Sequence, residues 1–167
     1  MASIQGIPRT ILSRLRDARG DALVEFALVA PLLFVVLFGM IDFGKAFNYW
    51  LDENHLASQA ARLAAVDNTS PSGTCLDGST PTGSPLLLSY IKCNADSSEL
   101  RSNATVCVHF PSLNTSTGNP VRITVSTTYT WLPIIGSLFG GAGTTTITGD
   151  ATMRLENNSS LTDGQCA

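Results

Sequence analysis

From Phe26 to Ile41 the chain reads FALVAPLLFVVLFGMI, with no charged residue. Ala22, Leu23 and Val24 extend this run on one side, interrupted only by Glu25, so that the apolar span from Ala22 to Ile41 is 20 residues long. A helix of that length covers about 30 Å, the thickness of the hydrocarbon core of a bilayer. Buried helices of soluble cores carry shorter apolar runs, of about 10–14 residues. The span therefore reads as a transmembrane helix, and the rest of the chain must be arranged around it.

Charge sets the orientation. The first 20 residues hold Arg9, Arg14, Arg16 and Arg19 against Asp17, a net +3, whereas residues 21–167 hold six basic and twelve acidic groups, a net −6. Basic flanks stay on the cytoplasmic side, so the N-terminus is expected inside and everything after residue 45 outside. The whole chain has 167 residues, a net charge of −3 and only 14% charged residues. Its isoelectric point of 5.2 offers phosphates no cationic field, which argues against nucleic acid as a partner. Its mean hydropathy of +0.18 excludes a wholly disordered charged tail.

The border between the basic and apolar segments has its own pattern. Arg19-Gly20 is followed by Asp21-Ala22-Leu23-Val24-Glu25-Phe26. No small-residue cleavage site follows the apolar stretch, so it does not read as an ordinary secretory signal. A glycine, then a lone glutamate and an aromatic residue at the start of an apolar helix, resembles the processing site of type IV prepilins and pseudopilins. More closely, RGDALVEFALVAPLLFVVLFGMIDFGKAF resembles the N-terminal signature of TadE-like pseudopilins of tight-adherence (Flp) pilus systems, and Ala60-Ala61-Arg62-Leu63-Ala64-Ala65 is similar to that family's Ala/Arg-rich stretch. The resemblance implies a leader, residues 1–20, removed by a prepilin peptidase on the cytoplasmic side. The matching bond is Gly20–Asp21, which makes Glu25 the fifth residue of the trimmed chain. Other implied partners are further pilins or pseudopilins and the membrane. The implied location is the bacterial cytoplasmic (inner) membrane, crossed once, with entry into a surface pilus.

Elementary electrostatics gives the same residues a purpose. A carboxylate inside an apolar span costs a few kcal/mol to bury and so marks function. Cleavage after Gly20 frees an α-amine with a pKa near 7.7–8.0, mostly cationic at neutral pH. Glu25 is an available counter-charge for that amine, in its own chain or a neighbour's, and the resemblance assigns Glu25 and the adjoining Phe26 to assembly. The plainer reading leaves Glu25 at headgroup level with its carboxylate in water.

Past the span, Pro and Gly are absent from Ala46 to Val66, and a single helix from Asp21 to Val66 would be about 70 Å long. Phe43, Phe47, Trp50 and Leu51 fall near one face of it. Ala57, Ala60, Ala61, Ala64 and Ala65 make a small-residue surface suited to close packing, against the chain's own sheet or another subunit's helix. Pro31 is expected to kink the helix, and Asp42 and Lys45 to form a local ion pair. Residues 67–85 are rich in Gly, Pro, Ser and Thr and read as a loop. Ser84-Pro85 then offers a cap and a first-turn proline for a short helix over 86–93, and residues 94–103 are polar. Ala104, Val106, Val108 and Phe110 alternate with polar residues. So do Val121, Ile123, Val125 and Thr127, and later Ile147, Ala151, Met153 and Leu155. Period-2 β-branched runs argue for an antiparallel meander.

The expected fold class is thus α+β: a long N-terminal transmembrane helix packed on a small antiparallel β-sheet head, as in pilins. The expected parts are the leader 1–20, transmembrane helix 21–45, its continuation 46–66, loop and short helix 67–103, meander 104–156 and polar tail 157–167. The apolar segment Trp131 to Gly143, WLPIIGSLFGGAG, lies inside the meander and reads equally as a contact with membrane or partner and as a cover over its own sheet.

Cys75, Cys93, Cys107 and Cys166 lack the C-x-x-C spacing of zinc or redox sites. Outside the cell they are expected as disulfides. Of the three possible pairings, Cys75–Cys93 closes the loop onto the short helix and Cys107–Cys166 tethers the tail, and this pairing is favoured. The only histidines, His55 and His109, fall in different elements, and no nucleophile, metal or phosphate-loop motif is present. No enzyme activity, metal or cofactor is expected. Two functions remain: a minor pseudopilin that supports tight-adherence pilus assembly and surface adhesion, or a single-pass membrane-anchored extracytoplasmic binding module.

Overall fold

The computed structural model describes residues 9–67, 69–133 and 143–167, with side-chain surroundings from residue 20 onward. The element order is α1 (Arg9–Ala65), α2 (Leu86–Cys93), α3 (Ser98–Asn103), β1 (Thr105–His109), β2 (Pro120–Thr130) and β3 (Thr144–Arg154). The chain divides into two units, Met1–Ile41 and Asp42–Ala167.

The first unit is helical over its described length. α1 continues through Gly20 and through Pro31. Between Leu23 and Ile41 the large apolar side chains lie open, including Phe26, Leu28, Leu32, Phe34 and Met40. A helix whose large apolar side chains lie open in this way matches the chemistry of lipid tails, not water.

The second unit is the head. The three strands form one antiparallel sheet in the order β1-β2-β3. Val106 faces Val125 and Val108 faces Ile123 across the first pair, while Ile123 faces Ala151 and Val121 faces Met153 across the second. The alternation of branched and polar residues thus puts one continuous apolar face on the sheet. Tyr49, Leu56, Ala57, Ala60, Ala61 and Ala64 of α1 join that face in a single core, with Leu87, Leu88 and Ile91 of α2 and Leu100 of α3. The alanines are fully buried, so the small-residue surface receives the chain's own sheet.

Two disulfides, Cys75–Cys93 and Cys107–Cys166, close the favoured pairing. The second is part of a wider device. Val106 and Ala167 exchange backbone hydrogen bonds, and the Val108 N–H donates to the Gln165 carbonyl, so the tail covers the free edge of β1. A covered edge cannot pair with a stray strand.

Three local expectations need correction. Residues 94–103 are not simply polar connection, because α3 forms there, capped by Ser97, whose Oγ accepts from the Leu100 N–H. Pro85 occupies the N-cap of α2 itself with no side-chain cap, so Ser84 does not cap that helix. Asp42 does not pair with Lys45, being drawn inward by partners described below. Nine residues of the apolar segment, 134–142, lie outside the described residues.

Candidate functional site

The border residues sit on one helix. Gly20, Asp21, Glu25 and Phe26 are all exposed, and Glu25 shares an open surface hollow with Ala22, Phe26, Leu28 and Val29. Asp21 and Glu25 are four residues apart and therefore on one face, where like charges repel by a few tenths of a kcal/mol. Among the described residues Glu25 forms no ion pair. Gly20 is equally unprovoked: among the described residues nothing lies within 4 Å of the position a Cβ would take. A glycine inside a helix costs about 1 kcal/mol relative to alanine, so the fold tolerates Gly20 without requiring it.

Within the head, polar contacts at three residues of α1 fasten its outer part. At its start the Asp42 carboxylate, 3% exposed, accepts the Tyr129 hydroxyl at Oδ1. Its other oxygen, Oδ2, accepts the Leu132 backbone N–H at 2.9 Å. Two turns further on, the Tyr49 hydroxyl donates to Glu99 Oε2 of α3 at 2.8 Å. Burial, reinforced by that bond to Glu99, pushes the Tyr49 hydroxyl up to about 12, so it remains a donor across the neutral range. Then Asp52 Oδ2 accepts the Asp96 N–H at 3.2 Å. The rings of Tyr49, Tyr129 and Trp131 stand edge to face in a row, with centroids 5.4 and 5.0 Å apart.

The partners in these contacts carry no signal in the linear sequence. Asp42 reads there as half of a surface pair because only neighbours along the helix are visible in a linear pattern. The signal available was its place at the end of an apolar run, where a carboxylate needs a partner. Replacing it tests the fastening. Asp42→Ala leaves the Tyr129 hydroxyl and the Leu132 amide without their acceptor, and should cost about 1–3 kcal/mol. Faster hydrogen exchange at the Leu132 amide, measured on the full chain in detergent micelles, is the expected outcome.

The histidines are apart. His55 Nε2 lies 3.1 Å from Gln59 Nε2 on an exposed part of α1, and His109 ends β1 with its Nδ1 3.9 Å from Asp163.

No curated protein and no solved structure matches the chain. The TadE-like protein family model matches residues 20–62, which run from the border glycine through the span to the alanine-rich face. Over that segment the chain is similar to TadE-like proteins.

Proposed function

We propose that this chain is a minor pseudopilin of tight-adherence pili. It sits in the bacterial inner membrane with its N-terminus inside and its head outside. A prepilin peptidase removes residues 1–20, and the trimmed helix assembles laterally with other pilins or pseudopilins in support of surface adhesion. The parts keep the bounds given above: span 21–45, continuation 46–66, then the head.

The observation that carries this reading is Glu25, an acid on an apolar helix with no ion-pair partner among the described residues. It lies five residues beyond a glycine that the surrounding structure does not require. Trimming changes the electrostatics at this point. In the intact chain α1 starts at Arg9, so Asp21 and Glu25 lie mid-helix. After cleavage they occupy the first two turns, where the helix dipole favours negative charge by about 0.3–1 kcal/mol. The new ammonium then stands about 6 Å along the axis from Glu25 in its own chain, and a neighbour shifted by a similar distance can take that chain's place. Pairing between chains removes both charges from lipid and fixes axial register.

Sequencing the N-terminus of the membrane-purified chain tests the cleavage. The expected terminus is Asp21, and Gly20→Leu should leave the leader attached. Glu25→Ala should be trimmed normally yet assemble few or no pili. Normal piliation by that variant would reject the pairing role, and an intact leader on the wild-type chain would favour the membrane-anchored binding module.

A further inference from the structure

We propose that the end of the β2–β3 hairpin, at Trp131 and Leu132, rests in the headgroup layer of the outer leaflet and gives the head a second contact with lipid beside its helix. This rests on the reading of residues 22–41 as a membrane span.

The direction of the hairpin is the first support. At the far end of α1, the Glu156 N–H donates to the Ala65 carbonyl just beyond β3. In the middle, Gly149 lies against Glu53 and Asn54. At the near end, Tyr129 and Leu132 bond to Asp42. β2 therefore runs back along α1 toward the residue that follows Ile41, the last of the apolar run. A 2.9 Å bond to the Asp42 carboxylate holds the Leu132 amide there. One helical turn is about 5 Å, and the headgroup region on each side of the hydrocarbon is of similar depth, roughly 5–7 Å. Leu132 is thus fixed at the depth of the headgroups by a bond inside the head.

Chemistry is the second support. Arg122 and Asp150 pair across the hairpin at 3.2 Å, and from Ile123 to Gly149 there is no charged residue at all. All the hairpin's charges therefore lie away from its membrane side. Leu132 is 42% exposed. Trp131 is half-buried, its ring edge-on to Tyr129 and its Nε1–H donating to Thr145 Oγ1 at 2.8 Å. An apolar ring with its single donor satisfied suits the interface, where tryptophan is enriched. On α1, Phe43 and Phe47 are exposed in the first turn and a half beyond Asp42, so helix and hairpin present apolar surface near the same depth.

The chain contains two tryptophans, Trp50 and Trp131, which makes depth measurable. Trp50 lies eight residues beyond Asp42 on α1, about 12 Å farther out. The full-length W50F and W131F chains, reconstituted in phosphatidylcholine vesicles with acyl chains brominated near the headgroup, each report one ring. Trp131 is expected to be quenched more strongly than Trp50, and Leu132→Asp in the W50F background should weaken that quenching. Equal or weaker quenching of Trp131 overturns the proposal. So does a Trp131 shielded from aqueous acrylamide yet untouched by bromine, because another protein surface then covers it. A chain that fails to float with the vesicles removes the span itself and this contact with it, whereas floating without quenching of Trp131 removes the contact alone.

Discussion

Gly149→Val should unfold the head. A Cβ at this position would lie 2.5 Å from the Asn54 amide nitrogen, 2.6 Å from the Glu53 carbonyl carbon and 2.9 Å from the Glu53 Cβ. Two of these three atoms are backbone, so no rotamer change relieves the clash; the helix must lift from the sheet. Lifting it opens the core on both sides, since Ala46, Tyr49, Leu56 and Ala57 of α1 share one packed cluster with Val125 and Ile123 of β2. Overpacking a tight core costs about 1–3 kcal/mol for modest insertions and more for larger ones, against a total stability of about 5–15 kcal/mol for a typical domain. Alanine should fall within the modest range, and valine beyond it. Gly44 is the internal control: it lies on the same helix, and among the described residues nothing is within 4 Å of a Cβ position. Gly44→Ala should be neutral or stabilise the helix by up to about 1 kcal/mol. Near-UV circular dichroism of the full chains in micelles, followed through thermal unfolding, separates the three variants. A Gly149→Val head that melts with wild type would show that helix and sheet are not held at this distance.

How far such a position can be read from sequence depends on whether its partner is local. The span, the strands and the alanine face are periodic signals, each written in neighbouring residues, and α1, β1, β2 and β3 follow them closely. The two disulfides could be favoured because each joins a loop or tail to a nearby element. α3 escaped because it is short and polar, and carries one fully buried apolar residue, Leu100, too few to show a period. Gly149 interrupts a threonine-rich strand, and a glycine there marks close approach by another backbone; which backbone approaches is a tertiary fact. Asp42 and Tyr129 are 87 residues apart, and nothing in either neighbourhood names the other. For the border residues the balance is reversed. Gly20 and Glu25 stand out as a pattern while the described residues make no use of them, and their roles in processing and pairing are proposals that rest on that pattern.

Glu53 makes the head's stability fall as pH rises through neutrality. Its side chain is fully buried, and among the described residues neither carboxyl oxygen has a partner at full hydrogen-bond geometry. Burial first, and then the adjacent Asp52, raise its pKa from the ordinary 4.5 to about 8, with the Thr127 backbone pulling weakly the other way. Below pH 4.5 the proton is held in both folded and unfolded chains. Between about 4.5 and about 8 the unfolded chain releases it while the folded chain keeps it, so each pH unit costs the folded state about 1.4 kcal/mol. Above about 8 both forms are ionised and the penalty stays constant. Asp52, also raised by burial and by Asp96, acts in the same direction. Glu53→Gln should flatten this slope, leaving only the part due to Asp52. Glu53→Met, an unbranched apolar replacement, should in addition remove the unpartnered carboxyl and stabilise the head by about 1–3 kcal/mol near pH 7. Urea unfolding of the full chains in micelles at several pH values between 5 and 9 (a window set by these shifts) measures both effects. A wild-type midpoint that does not move across that window, or moves equally in the glutamine variant, would mean that water or a partner reaches the Glu53 carboxyl in the folded protein.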